Sequence, residues 1–141
     1  MREILFRGQN IDYNWVFGGY VFISGTTMAG HLCKGGKYII DEYGKPHEVN
    51  SATIGEYTGM KDSKGVKIFE GDILSVNGKY PKIVEYAEDR MSFCLINIEE
   101  LKHADWKDIK QVPGVVRWND FKREILVIGN IHDNPEMLNS E

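Results

Sequence analysis

Two cysteines, Cys33 and Cys94, are too few to staple a chain of 141 residues. A lone pair reads as two small buried apolar side chains rather than as a disulfide framework. Long apolar runs are also missing. The longest are of the length of Ile125 to Ile128, far short of the roughly 20 residues that cross a bilayer as a helix, so no membrane span is expected. The opening Met1-Arg2-Glu3-Ile4-Leu5-Phe6-Arg7-Gly8 sets charges on both sides of a short apolar stretch. It lacks the extended apolar region of a signal peptide, and a cytoplasmic location is expected. Basic excess is absent too: residues 1–70 hold eight basic and eight acidic side chains, residues 71–141 nine and thirteen, for a net charge of -4. Non-specific nucleic-acid affinity comes mostly from Lys and Arg on phosphates, so that role starts at a disadvantage.

The chain does have enough apolar side chains to fold, 42% against 27% charged, and its length suits one ordinary domain or two small pieces sharing a core. Fifteen glycines are spread along it. With alternating aromatic and β-branched stretches between them they predict short strands punctuated by turns. Strands are expected at Ile4 to Phe6, Tyr20 to Ile23, Lys37 to Asp41, Pro46 to Val49, Thr53 to Thr58, Val66 to Phe69, Asp72 to Val76, Lys82 to Tyr86, Met91 to Ile98, Val115 to Trp118 and Glu124 to Ile131. Gly44 predicts a hairpin turn between the third and fourth, and Asn77-Gly78 predicts a two-residue hairpin, because both residues tolerate positive φ. Met91 to Ile98 is apolar on both faces, which suggests a central strand. Residues 99–113 read as a variable loop, and Asn134-Pro135-Glu136-Met137-Leu138 as a short terminal helix with Asn134 as N-cap.

Chemistry-bearing patterns fail on inspection. Gly30 to Tyr38 superficially resembles a phosphate-binding loop, but Gly36 stands where the lysine belongs and Tyr38 where a hydroxyl residue would hold magnesium. His31 and Cys33 share a strand face, half of a zinc site, without a second pair at ligand spacing; His47, His103 and His132 are scattered. The pairs Glu88-Asp89 and Glu99-Glu100 are sequence neighbours, which point apart on a strand. Asp62-Ser63-Lys64-Gly65 lacks the later acidic ligands of a calcium loop and reads as a turn in which Asp62 bonds nearby amides. Trp15, Trp106 and Trp118, with Lys107 and Arg117 beside two of them, suit packing better than a base-stacking platform. No catalytic, cofactor-binding or metal-ligating residue is assigned, and no cofactor is expected.

The stretch Thr53-Ile54-Gly55-Glu56-Tyr57-Thr58-Gly59-Met60-Lys61-Asp62-Ser63-Lys64-Gly65-Val66-Lys67-Ile68-Phe69-Glu70-Gly71-Asp72-Ile73-Leu74 resembles the central signature of YopX-like phage and prophage proteins. The opening Arg2 to Arg7 and the closing Ile128 to Leu138 resemble the same family, so the similarity brackets almost the whole chain. The resemblance implies a mainly β protein from a phage or prophage: an N-terminal β portion, residues 1–52, and a small SH3-like β-barrel, residues 53–141, with a C-terminal helical turn, together one compact unit. It brings no established activity. The expected function is therefore a non-catalytic accessory protein working through protein–protein contacts, as a homo-oligomer or with a phage or host protein, the alternative being a small nucleic-acid-binding β-barrel. Closure of residues 53–131 into a barrel requires Ile73 and Leu74 to lie near Val127 or Ile128.

Overall fold

The computed structural model describes residues 3–23, 27–28, 31–32, 35–88, 91–98 and 124–138. The chain is mainly β: twelve strands and two short 3₁₀ turns are seen in these residues. They divide into two compact units, residues 1–57 and 58–141.

In the first unit, β1 (Phe6–Gln9) runs antiparallel to β2 (Trp15–Ile23), which in turn pairs with β5 (Gly36–Ile40), and β5 with β6 (Pro46–Glu48). On its other side β1 meets the start of β7 (Gly55–Lys61). A separate two-stranded pair joins β3 (Thr27–Met28) to β4 (His31–Leu32). The strand expected at Tyr20 begins earlier, at Trp15, and passes straight through Gly18-Gly19. The glycines there are no entry turn. They mark the point where β2 changes partners, with Gly18 opposite Phe6 of β1 and Gly19 opposite Ile40 of β5. A Cβ on Gly18 would stand 1.8 Å from the Ile40 carbonyl oxygen, so the crossing is possible only without a side chain. The unit is tied at the far end of β1 as well. Gln9 N–H donates to Thr53 Oγ1 and Asn50 N–H donates to Gln9 O, while the Thr53 hydroxyl donates to Asn50 O. Ile39, Val49 and Tyr57 are buried, and the buried Arg7 lays its guanidinium 4.5 Å from the centre of the Trp15 ring, a cation–π contact that compensates part of its lost hydration.

The second unit centres on a four-stranded antiparallel sheet in the order β11 (Ser92–Asn97), β10 (Lys79–Ala87), β9 (Asp72–Val76), β12 (Ile125–Asn130). The later residues of β7 lie beside β8 (Lys67–Phe69), where the Thr58 hydroxyl donates to Ile68 O. Alternation along the strands explains why this sheet is buried on both sides. Leu74, Val84, Leu95 and Ile125 form one core with Ile68, joined by Met60, Phe93 and Val127. Their sequence neighbours Ile73 and Ile83 form the other with Ile98, covered by Ile131, Met137 and Leu138. Val127 faces Leu74 across the β9–β12 ladder, the long-range contact anticipated between the signature and the last strand. Asn77-Gly78 turns β9 into β10 with both φ positive, 54° and 74°.

Two expectations need correction. Among the described residues the strands of 53–131 do not close into an SH3-like barrel, and the four-stranded sheet is open. The outward-facing backbone of β12 bonds to a turn rather than to another strand, since Ser63 N–H donates to Ile125 O and Ile125 N–H to Ser63 Oγ. The strand over residues 92–97 stands at the end of the sheet order among the described residues, because its apolar faces are covered from above and below rather than by a second ladder. The expected terminal helical turn is present as a 3₁₀ turn, Pro135–Leu138, and Oδ1 of the preceding Asn134 accepts the Asn130 N–H at 3.2 Å. The strand expected at Val115 to Trp118 and the loop at 99–113 lie outside the described residues.

Gly18→Ala must push the Ile40 carbonyl aside and is expected to cost about 3 kcal/mol or more. Gly19→Ala meets nothing within 4 Å and is expected to be neutral or to stabilise by about 0.5 kcal/mol. Denaturant melts of the two variants beside the wild type check the pair; equal losses would contradict the crossing at Gly18.

Candidate functional site

The local rule that shapes the loops is a five-residue connection closed by the side chain of its first residue. It occurs three times. Asn10, Asp41 and Asp62 each accept on Oδ1 the backbone N–H two and four residues ahead, at 2.8 to 3.0 Å. In each, the first residue's N–H donates to the carbonyl four ahead, and the fourth residue's N–H donates back. That fourth residue has positive φ: Tyr13 at 63°, Gly44 at 79° and Gly65 at 84°. The latter two use glycine as the geometry prefers, while Tyr13 occupies a region that L residues reach only at a cost of about 1 to 2 kcal/mol.

What differs is the remaining side-chain atom. In Asp41, Oδ2 lies 2.8 Å from His47 Nε2 on β6, so turn and strand are held together at the exposed end of the hairpin. The Asp41 carboxyl is held below its ordinary value of 3.8, first by the His47 hydrogen bond, then by the N–H groups of Lys45 and Tyr43, against a smaller opposing effect of burial. In Asp62, which is buried, Oδ2 accepts the Val127 N–H at 3.0 Å, so one carboxylate fastens the signature hairpin to β12.

These side chains are structural fasteners. His132 enters the turn after β12 through its backbone N–H, which donates to Asn130 Oδ1, and the His47 ring is engaged at Asp41. The side chain of His31, and Cys33, His103, Trp106, Trp118, Asp89, Glu99 and Glu100, lie outside the described residues. Gly36 opens β5 and Tyr38 is buried in it, so the phosphate-loop look-alike runs into a core strand. Among the described residues no three His, Cys, Asp or Glu side chains gather at metal-binding distance, and no helix is long and apolar enough to cross a membrane.

Two surface features of the first unit are left. An open groove of about 480 Å³ is lined by Asn10, Ile11, Tyr13, Glu48, Val49 and Asn50. The second is the apolar surface of β2 and its neighbours. Phe22, Phe17 and Tyr20 are 62%, 47% and 38% exposed, and Ile4, just before β1, is 71% exposed. The Tyr20 ring packs against Phe6 with centroids 5.7 Å apart, which holds both rings in place at the surface. The strand pattern over Tyr20 to Ile23 leaves the burial of its two sides open. Alternation alone could not say that the side facing out would also be apolar.

Comparison with known proteins follows the fold. The model of the family described as YopX protein matches residues 26–139. The crystal structure of protein EF1440 from Enterococcus faecalis superposes with a TM-score of 0.51 at 23% identity, covering 98% of this chain and 99% of that one, a likeness that speaks for the fold alone. Among curated proteins none matches.

Asp62→Ala leaves three backbone N–H groups without their acceptor and is expected to cost about 3 kcal/mol or more in a denaturant melt. Asp62→Asn should keep the turn but point an amide N–H at the Val127 N–H, and so lose more than Asp41→Asn. A depressed folded-state carboxyl stabilises above the unfolded value and loses that contribution as pH falls through the folded one. The melting temperatures of wild type and Asp41→Asn are therefore to be compared at and below about pH 4. Below about pH 4 the wild type should fall faster, and parallel curves throughout would refute the role of this carboxyl.

Proposed function

The chain belongs to the YopX protein family, and on that footing we propose that it is a cytoplasmic accessory protein of a phage or prophage, without catalytic activity, that acts through protein–protein contacts. One observation carries this reading: a single strand, β2, presents Tyr20 and Phe22 to solvent on one side. Aromatic side chains are enriched at protein interfaces, since they bury much area at little conformational cost. Scattered exposed apolar residues are ordinary on a folded protein, but two rings on one side of a strand, with Tyr20 braced by Phe6, form a patch. The polar side chains that bear chemistry elsewhere, Asp41, Asp62, Asn130 and His47, are engaged in turns.

The test is co-purification of the tagged chain from cells carrying the phage or prophage, beside a Phe22→Ser variant. The substituted ring is largely exposed, so the variant should melt as the wild type does. The expected result is a protein retained by the wild type and lost from the variant. A wild type that retains no protein, its own second copy included, or a variant that retains it undiminished, overturns the reading.

A further inference from the structure

We infer that the surface formed by Phe6, Tyr20 and Phe22 is the contact by which two copies of this chain pair about a two-fold axis. The inference rests on the protein-contact reading above and names the partner of its central patch.

The ladder registers fix the order of residues across this surface. Glu56 of β7 is directly opposite Phe6 of β1, and Phe6 is directly opposite Gly18 of β2. Tyr20 follows Gly18 on the same side of the strand and its ring packs on Phe6. Phe22 follows Tyr20, and Lys37 of β5 is directly opposite Phe22. The surface therefore runs from a carboxylate, through three aromatic rings, to an ammonium group. Lys37 has no ion-pair partner among the described residues, and both Lys37 and Glu56 are half-exposed.

That arrangement selects the occupant. A patch rimmed by charges of one sign would ask for a partner of the other sign. A patch with opposite charges at its two ends is complementary to itself, because a two-fold axis through the middle exchanges the ends. With the axis at Tyr20, the Glu56 end of one copy meets the Lys37 end of its partner, twice, and the rings of the two copies pack between. Ile4, two residues before Phe6 and 71% exposed, adds apolar area. Three rings and one isoleucine supply about half of the roughly 800 Å² that each side of a standard interface buries. A contact of that size is below the standard interface, so the dimer is weak and reversible.

Sedimentation velocity over a series of protein concentrations reads this directly. The wild type should shift from monomer to dimer as concentration rises. Phe22→Asp should stay monomeric over the same range while keeping its melting temperature. Lys37→Glu alone and Glu56→Lys alone should each weaken the dimer at least tenfold by setting like charges together, and the double variant Lys37→Glu, Glu56→Lys should restore it. A wild type that stays monomeric, a dimer indifferent to Phe22→Asp, or single charge reversals that the double variant fails to rescue each overturns the two-fold pairing. A monomeric wild type that still retains another protein through Phe22 would sink this inference and leave the protein-contact reading standing.

Discussion

The second unit depends on where one buried carboxylate can find hydrogen bonds. Asp62 is removed from water, and burial of an anion is tolerated only when its oxygens are matched by donors. The turn supplies two N–H groups, from Lys64 and Val66, and the third comes from Val127, 65 residues further along the chain. The last strand is thus fixed from both edges by different means. On one side it is in the β9 ladder, with Val127 opposite Leu74; on the other it is bonded to the Asp62-Ser63 turn. An exposed strand edge invites pairing with other chains, and here a turn occupies the edge at Ile125 and Val127. Closure into a barrel would satisfy the same groups with a strand. The turn does so with two residues, and the sheet remains open among the described residues.

The same turn grammar at Asn10 and Asp41 separates what the motif requires from what is built on it. The two bonds to Oδ1 need only an oxygen, so asparagine and aspartate both serve. Only the aspartates have a second oxygen that accepts, and each uses it to reach outside the loop, Asp41 to His47 and Asp62 to Val127. Asn10 reaches nothing beyond its turn among the hydrogen bonds described, and Tyr13, placed at positive φ where the other loops have glycine, leaves an 81% exposed ring beside the groove. A conformational cost at a surface residue with no packing return is the pattern by which strain points to use.

Much of this was legible in the residues. Gly44, Gly65 and Asn77-Gly78 announce their turns because positive φ leaves few alternatives, and Asp62 was readable as a turn residue bonding nearby amides. The pairing of Ile125 to Ile131 with the signature followed from its apolarity. What failed has physical causes. Gly18-Gly19 looks like a loop and is a strand crossing, because a glycine that permits a turn equally permits a close backbone approach. That Asn134 Oδ1 accepts the Asn130 N–H, within a turn where Asn130 Oδ1 itself accepts from His132 and Asp133, is not given by the composition of an N-cap. The bond to Val127 was invisible because local spacing cannot reveal a partner 65 residues away.

The position of the family match along the chain bears on where function resides. Residues 26–139 contain the Asp41 and Asp62 turns, the strands of the second unit and the Asn130 network, all of them devices that specify backbone geometry. Ile4, Phe6, Tyr20 and Phe22 precede that stretch. A fold can be specified by turns and a covered core without fixing what its surface meets. The second unit spends its apolar side chains on both faces of one sheet. In the first unit β2 instead gives up part of its apolar area to solvent, and that exposure lowers solubility with no gain to folding. That exposure is the ground on which the protein-contact surface is proposed on β2, on residues that precede the stretch matched by the family model.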